Sequence, residues 1–447
     1  MSKSDKLRIA IIGAGIGGLT LSAAIGSLKR QRDDLEVEVD IYEGASRLTE
    51  VGAGINFFQR SWEIMEAIGL DQKLLSYLPR AGEGMTRQYL QFRKGDQREG
   101  VFIADGQMEG GSYRFHRADV QQALLSAQNG CLHLSHRLIS YEEKEEGIYL
   151  HFEGGAIATC DVLVGMDGIN SVVRKCLLTS RGMSQSPTIE PVWAGDIAYR
   201  SLIPSEKLQA VFPGHRALTR PMLHLVSFPV AQNKLINFVA ITAELLDPAP
   251  YDGPTATPCT VEEVQSIFKG WEPEAQALLQ CMEKPLKWII RYQVPLDRYA
   301  LGHVVLGGDA AHSMTPYQSA GAGQAVEDAY ILATLLCDKA CNKETIPEIM
   351  EIYDAIRRPI GNGVIEKSRV TGRLVQLSAP GLEDIAEGDE KVSIDRLRGI
   401  VEEHMKSFEW VWKEPIKDDR ERALLMLSDL EKVRTPNWSI ANASLIS

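Results

Sequence analysis

A chain of 447 residues is long enough for two or three domains, which excludes a peptide, a small disulfide scaffold and a single small module. Hydrophobic residues make up 44% and charged residues 24%, ordinary values for a soluble globular protein and unlike those of a membrane bundle. The formal net charge is −12, which disfavours nucleic acid and anionic membrane surfaces as partners. An anionic substrate would therefore need a locally basic pocket.

The cysteines and the N-terminal residues predict a cytoplasmic protein. The 7 cysteines are scattered, without a C-x-x-C pair or a Cys/His cluster at zinc spacing, so we expect reduced thiols and no metal. Residues 1–6 are polar and lead almost directly into glycines, unlike a signal peptide. No apolar run approaches the ~20 residues that span a bilayer.

The first motif is typical of a dinucleotide site. Residues 7–12 form an apolar strand pattern that leads into a G-x-G-x-x-G turn at Gly13, Gly15 and Gly18, and a helical pattern follows. Glycines at these positions permit a tight turn and close approach of a pyrophosphate to the helix N-terminus. A second strand ends at Glu43, a carboxylate suited to a ribose diol. A glycine-rich turn without a ligand is the alternative.

Two later segments also place an acidic residue at the end of a strand. The first ends in Asp167-Gly168 and leads into a short helix. The second is a strand that ends at Asp309, followed by a loop and by a helical pattern that begins near Gly321 and Gly323. A helix N-terminus at this point would stabilise negative charge on a bound ring.

These three segments, in this order, resemble the motifs of the class A flavoprotein aromatic hydroxylases. The resemblance implies an α/β fold: a discontinuous Rossmann-like FAD-binding domain, a substrate domain with a largely antiparallel β-sheet, and a helical C-terminal region. It also implies FAD as the cofactor, NADH or NADPH as co-substrate, and no separate nicotinamide-binding domain. Only one G-x-G-x-x-G fingerprint occurs in the chain, in agreement with that last point.

The domain division follows from the motifs and from strand alternation in the middle of the chain. Segments such as 222–228 and 235–241 alternate like single strands of an antiparallel sheet. We expect the FAD-binding domain in residues 1–190 and 286–370, the sheet domain in 191–285 and helices in 371–447. The strands around 80–115 are left open to either domain.

Carried onto this sequence, the resemblance assigns a set of residues to FAD. They are Gly13, Gly15 and Gly18 for the pyrophosphate, Glu43 for the adenosine ribose, Arg117 for a direct contact, Asp167 for FAD and nicotinamide, Asp309 for the ribityl and pyrophosphate region, and Gly321, Ala322 and Gly323 for the edge of the isoalloxazine. Alternative interpretations stay open for three of these. Arg117 could cap a surface helix, Asp167 could shape a turn, and Asp309 could be an N-cap.

A finer resemblance is to the salicylate hydroxylases and related fungal enzymes. It is carried by Trp193-Ala-Gly-Asp-Ile-Ala-Tyr-Arg200 and by Pro316-Tyr317-Gln318 before the last glycine loop. Tyr317 stands where those enzymes commonly have His, and Ser319 where they commonly have Gly. The resemblance implies hydroxylation of a phenolic acid with O2 through a C4a-hydroperoxyflavin, with loss of the carboxylate when oxygen reaches the carbon that bears it.

Three residues are candidates for substrate binding or catalysis. Arg200 and His224 would bind an anionic substrate, and Tyr317 would donate a hydrogen bond to substrate or flavin. Their alternatives are an internal salt bridge for Arg200, an ordinary sheet histidine for His224 and packing for Tyr317, while His312 is expected to brace its loop. Two other functions stay open: a monooxygenase or epoxidase acting on a larger aromatic or indole metabolite, and a non-catalytic flavin-binding protein. We expect a monomer or homodimer.

Overall fold

The computed structural model describes residues 6–32, 34–48, 54–78, 86–183, 186–219, 222–223, 225–243, 251 and 253–434. Its strands, in chain order, are β1 (Leu7–Ile12), β2 (Val37–Tyr42), β3 (Gly54–Phe58), β4 (Thr86–Lys94), β5 (Val101–His116), β6 (Cys131–His133), β7 (Leu138–Lys144), β8 (Gly147–Phe152), β9 (Ile157–Cys160), β10 (Val162–Gly165), β11 (Val192–Pro204), β12 (Met222–Leu223), β13 (Leu225–Val230), β14 (Leu235–Ala243), β15 (Ala256–Pro258), β16 (Leu286–Tyr292), β17 (Ala300–Leu301) and β18 (Val304–Leu306).

The helices, in chain order, are α1 (Ile16–Lys29), α2 (Gln59–Ala67), α3 (Asp71–Leu75), α4 (Arg117–Ala127), α5 (Val172–Ser180), α6 (Ser205–Val211), α7 (Val261–Ile267), α8 (Pro273–Cys281), α9 (Asp309–His312), α10 (Gly321–Leu336), α11 (Ile346–Val375), α12 (Ile394–Lys406), α13 (Trp410–Lys413) and α14 (Ile416–Arg434). Short 3-10 helices lie at Arg216–Leu218 and Pro316–Gln318. None of the helices in the described part of the chain has the length and apolar character needed to cross a membrane.

The parallel sheet places the motif segments at one edge. Its strand order is β17-β18-β10-β1-β2-β6, and only β17 runs antiparallel to its neighbour. Ile12 pairs with both Tyr42 and Gly165, and Gly165 pairs with Leu306, so the four strands end level with each other. The segments after β1, β2, β10 and β18 therefore meet at their carboxyl ends, where open α/β sheets bind ligands.

The large sheet has nine strands in the order β15-β16-β11-β14-β13-β12-β4-β5-β3, and only the β12–β4 pair is parallel. Alternate residues such as Tyr199 and Phe238 pack into a core beneath α6, α7 and α8, which frees the other face for a cavity. Residues 286–292 pair with β11, so the sheet continues beyond the expected boundary at 285. Strands β3, β4 and β5 also lie in this sheet.

The remaining elements complete the α/β fold that the motifs predicted. Strands β7, β8 and β9 form a separate antiparallel sheet. The stretch 222–228 does not form the single predicted strand, because Met222 pairs with Ser227 across two antiparallel strands. Helix α11 carries the chain past the expected boundary at residue 370, and α12, α13 and α14 supply the predicted helical region as far as residue 434.

Candidate active site

A cavity of about 420 Å³, here called the main cavity, lies between the edge of the parallel sheet and the open face of the large sheet. Its wall combines the turn after β1, the segment after β18, the start of α10 and one face of β11, β13 and β14. Residues that line it include Gly15, Ile16, Gly17, Arg114, Arg117, Arg200, Val226, Phe228, Asn237, Val239, Ile241, Gly308, Asp309, Tyr317, Gly321, Ala322 and His404. Five of the ten expected FAD residues therefore line one space: Gly15, Arg117, Asp309, Gly321 and Ala322.

The three glycines of the first motif serve different purposes. Gly13 has φ +103°, and a Cβ on it would lie 2.4 Å from the carbonyl oxygen of Met166. A Cβ on Gly18 would lie 2.0 Å from the carbonyl oxygen of Gly13. A Cβ on Gly15 would meet no atom within 4 Å, although Gly15 lines the main cavity. The backbone thus requires glycine at Gly13 and Gly18, whereas Gly15 leaves room for a ligand.

The carboxylate of Glu43 is fixed beside this turn. One oxygen accepts a hydrogen bond from the backbone N–H of Ala14 at 2.9 Å, and the other accepts one from Ala45 at 2.8 Å. Because Glu43 directly follows β2, the register of the parallel sheet brings it next to the turn after β1. This is the position in which a carboxylate reaches a ribose in a dinucleotide site.

The segments around Asp309 and α10 form the opposite side of the main cavity. Asp309 is the first residue of α9, its side chain is exposed, and it follows Gly308, which has φ +56°. Gly321 and Ala322 line the cavity at the first turn of α10. Gly323 instead faces α2, where a Cβ would lie 2.7 Å from the hydroxyl of Ser61. Its lack of a side chain therefore serves the packing of α2 on α10.

Arg114, Arg117 and Arg200 line the main cavity. The charges of Arg117 and Arg200 are close enough to interact, and the part of the wall that they form is here called the arginine end. Within the described residues no carboxylate forms an ion pair with Arg200, whose guanidinium lies 5.7 Å from the ring of Trp288. Burial and the charge of Arg117 lower the pKa of Arg200, which nonetheless stays cationic near neutrality because an arginine pKa starts above ~12. This end attracts anions although the whole chain is acidic.

Tyr317 contributes its ring rather than a free hydroxyl to the cavity wall. Its O–H donates to Asp196 at 2.6 Å, and the amide of Gln376 donates to the Tyr317 oxygen at 2.5 Å. The same amide donates to the second oxygen of Asp196 at 3.0 Å. Burial and the charge of Asp196 raise the pKa of Tyr317 well above its usual value. These contacts favour the packing interpretation, and a hydrogen bond from Tyr317 to a substrate stays a prediction.

Comparison with known proteins agrees with this geometry. A family model described as an FAD binding domain matches residues 6–368. Salicylate hydroxylase from Pseudomonas putida is 31% identical over 93% of this chain and 95% of its own length. 6-Methylsalicylate 1-monooxygenase from Aspergillus terreus is 29% identical over 96% of this chain and 94% of its own. The chain belongs to the FAD-binding-domain family.

A solved complex of salicylate hydroxylase with substrate shares the fold of the chain, with a TM-score of 0.77 at 29% identity, covering 94% of this chain and 98% of that one. The predicted resemblance to the class A flavoprotein aromatic hydroxylases is therefore confirmed. The protein is a flavin-dependent aromatic hydroxylase of the salicylate hydroxylase type.

The residues of the hydroxylase fit an FAD along the main cavity. The open space at Gly15 and the N-terminus of α1 suit a pyrophosphate. Glu43 suits the adenosine ribose. Asp309 and Gly321 both line the cavity along which the rest of the FAD would lie. The individual contacts of these residues with FAD stay predictions.

Asp167 has a different environment from the one expected for a cofactor contact. Its carboxylate accepts hydrogen bonds from the hydroxyl of Ser171 at 2.6 Å and from the backbone N–H groups of Val172 and Val173 at 2.7 and 3.1 Å. These bonds satisfy the N-terminus of α5. Desolvation raises the pKa of Asp167. The geometry thus favours the turn-shaping interpretation of Asp167, while its neighbours Met166 and Gly168 line the main cavity.

The histidine predicted to bind substrate, His224, lies outside the described residues of the hydroxylase. The residues after it on β13 do follow the predicted alternation, because Val226 and Phe228 both line the main cavity. Asn237 on the neighbouring strand shares this wall, and its side-chain oxygen accepts a hydrogen bond from the backbone of Gly54 at 3.0 Å.

A buried cluster of charges, most of which no motif predicted, lies behind the segment after β18 and the start of α10, here called the flavin loops. Asp328 accepts hydrogen bonds from Arg357 at 2.7 Å and from the backbone N–H of Gly308 at 2.8 Å, and His312 lies 2.5 Å from it. Arg357 also donates to Glu327 at 3.0 Å. Opposite charges lower the pKa of Asp328 to about 2. His312 therefore braces its loop as expected, through a partner on α10.

The same cluster reaches the C-terminal helices. Arg60 on α2 donates to both oxygens of Glu327, at 3.0 and 2.9 Å, and to Asp419 on α14 at 2.6 Å. It also donates to the backbone carbonyl of Glu414. The side chains of Arg60 and Glu327 are almost fully buried, so each charge depends on its partners. The helix α14 is thus tied directly to the FAD-binding domain.

His404 on α12 is a further residue of the cavity wall that was not predicted from the sequence. It lines the main cavity, is 1% exposed, and packs between the rings of Phe92 and Phe408 at 5.0 and 5.1 Å. Neither ring nitrogen has a hydrogen-bond partner among the described residues. Desolvation lowers the pKa of His404 to about 3, so the imidazole is neutral at physiological pH. A histidine on a helix far from every motif gives no sequence signal of this role.

We predict that His404 makes the hydroxylase sensitive to acid. Its pKa is lower in the folded than in the unfolded chain, so its unfavourable contribution begins as the pH falls below the ordinary value of 6.5. At 1.4 kcal/mol per pKa unit, lowering the pH from 6.5 to 5 costs about 2 kcal/mol. The His404→Leu variant should lose that part of the pH dependence in urea unfolding, whereas the half-buried control His151→Leu should keep it. Equal pH profiles for wild type and His404→Leu would contradict the prediction.

Proposed function

We propose that the chain hydroxylates a phenolic acid with O2 and with NADH or NADPH as electron donor. One oxygen atom enters the ring and the other leaves as water. If oxygen is delivered to the carbon that bears the carboxylate, CO2 is released and a catechol forms, as in the conversion of salicylate. The observation that carries the proposal is the position of Arg200, a cation without a carboxylate partner among the described residues, at the end of a largely apolar cavity beside the flavin loops.

The arginines supply what a phenolic acid requires. Arg200 offers a planar set of N–H donors that matches a carboxylate. The positive charges of Arg117 and Arg200 also favour the phenolate form of the substrate, because nearby cations lower the pKa of a phenol. An electron-rich phenolate is the form that accepts oxygen.

The rest of the wall supports the chemistry by excluding water. Val226, Phe228 and Val239 form an apolar face, and His404 is held neutral next to it. FAD, once reduced, supplies the activation of O2. A water-poor cavity strengthens the electrostatic effect of the arginines on the bound substrate.

The direct test is turnover with purified protein. With salicylate present, we expect accelerated oxidation of NADH or NADPH, stoichiometric O2 consumption, and catechol identified by mass spectrometry. Oxidation of both nicotinamides that no phenolic acid accelerates would reject the proposal. A hydroxylated product that keeps its carboxylate would confirm the hydroxylase but reject decarboxylation.

We predict that Arg200→Ala weakens substrate binding more than it slows the chemical step. Loss of a hydrogen bond to a charged group costs about 1.5–3 kcal/mol, which corresponds to a tenfold or greater rise in the KM for salicylate. The control Lys207→Ala removes a surface cation of the same domain, paired with Glu283, and should leave KM unchanged. An unchanged KM in Arg200→Ala would assign Arg200 a structural role only.

A further inference from the structure

A second cavity of about 290 Å³ adjoins the main cavity. Both are lined by Val226, Ile241, Tyr317 and Val375, so they share one wall. Val226 and Ile241 lie on β13 and β14, whose open face therefore continues from one cavity into the other. The second cavity extends away from the flavin loops toward α7 and the segment after α11.

The ring of Tyr317 is held in place at the boundary of the two cavities. Asp196 and Gln376 bind its hydroxyl from one side. On another side the ring fills the space beside Gly372, where a Cβ would lie 2.4 Å from the Tyr317 ring. A ligand that occupied both cavities would run past this ring along the face of the large sheet.

The two cavities differ in charge. The main cavity has arginines at one end, whereas no Lys, Arg or His is among the described residues that line the second cavity. Its wall is mainly apolar and includes the aromatic rings of Phe268 and Trp271. Its acidic residues are already engaged: Asp96 pairs with Lys94 at 2.8 Å, and Glu387 accepts a hydrogen bond from Trp271 at 3.2 Å. The second cavity therefore suits a neutral hydrocarbon group and not an anion.

We propose that the second cavity is a substrate subsite for a hydrocarbon substituent on the aromatic ring. The substrate class is then a phenolic acid with its carboxylate at the arginine end and an apolar chain beyond Tyr317. This inference rests on the proposed function for the identity of the head group. It goes beyond that function because an unsubstituted salicylate would leave the second cavity unfilled.

The test measures binding separately from turnover. Alkylsalicylates with methyl, propyl and pentyl chains at each open ring position are titrated into the FAD-loaded protein, and Kd is read from the change in flavin absorbance. For the favoured ring position we expect Kd to fall about threefold to fourfold per buried methylene. A Kd that stays flat or rises with chain length at every position overturns the subsite, even if salicylate itself is turned over.

Variants that fill the second cavity give the matched control. Thr242→Phe fills the second cavity, and Ala386→Phe fills its exposed rim. Each should abolish the increase in affinity with alkyl chain length but leave the Kd of salicylate unchanged. Flavin content and the unfolding midpoint establish that each variant is folded. If both variants are folded and their affinity still rises with alkyl chain length as in the wild type, the alkyl group binds elsewhere and the inference is wrong. Failure of the proposed function appears differently, as no turnover of any phenolic acid.

Discussion

Replacing Arg357 by Met is expected to destabilise the hydroxylase by about 3–5 kcal/mol, the usual cost of leaving a buried charge without its partner. Arg357 is 0% exposed and donates to both Asp328 and Glu327. Its loss leaves Asp328, which is fully buried, with only His312 and a backbone N–H. Since Asp328 also orders Gly308, the variant should retain less FAD after gel filtration.

A matched arginine variant and the pH dependence of stability both test this role of Arg357. Arg369→Met removes a partly exposed arginine of the same helix, which pairs with Glu366 and lies 4.8 Å from the ring of Tyr292, and should change stability by less than about 1 kcal/mol. In the wild type, the contribution of Asp328 is present above the ordinary carboxyl pKa near 3.8 and is lost as the pH falls through about 2. Without Arg357 the pKa of Asp328 rises. The difference in unfolding free energy between the wild type and Arg357→Met should therefore become smaller on acidification. A constant difference in unfolding free energy between pH 4 and pH 2 in urea unfolding would contradict this account.

Gly15→Ala is expected to weaken FAD binding at least tenfold, about 1.4 kcal/mol, while the apoprotein stays folded. Gly15 has φ −73°, which alanine adopts freely, and its Cβ would meet no protein atom within 4 Å. The added methyl group would instead occupy the space where the pyrophosphate must approach the backbone. Fluorescence titration of the apoprotein with FAD measures the loss, and urea unfolding measures the stability.

Two further glycines separate binding from folding. Gly18→Ala forces a Cβ against the carbonyl of Gly13 and should destabilise the apoprotein itself by about 1–3 kcal/mol. Gly399→Ala lies in open space on α12 and should leave FAD binding unchanged. If Gly15→Ala binds FAD as tightly as Gly399→Ala does, the pyrophosphate does not lie at this turn.

The sequence predicted those parts of the site that depend on local order along the chain. The turn at Gly13, the carboxylate at Glu43 and the start of α10 near Gly321 each follow directly from a strand or helix pattern. Because the paired parallel strands end at the same level, the sheet brings these segments together without any long-range contact having to be predicted. Short-range patterns were therefore sufficient to predict the part of the site formed by the turn after β1, Glu43 and the start of α10.

Contacts between residues far apart in the chain were not predictable in this way. Tyr317 was proposed as a donor to substrate, but the partner that occupies its hydroxyl, Asp196, lies 121 residues away. The role of His404 depends on the packing of α12 against β4 and β5, which no motif encodes.

The tie between Arg60 and Asp419 also concerns how the protein is made. Asp419 lies 359 residues beyond Arg60, so at ~5–20 residues per second the ribosome adds it roughly 20–70 s later. Until then Arg60 has no partner on α14, and the face of α2 that α14 covers is open. A nascent chain therefore exposes this face of α2 until α14 has been synthesised.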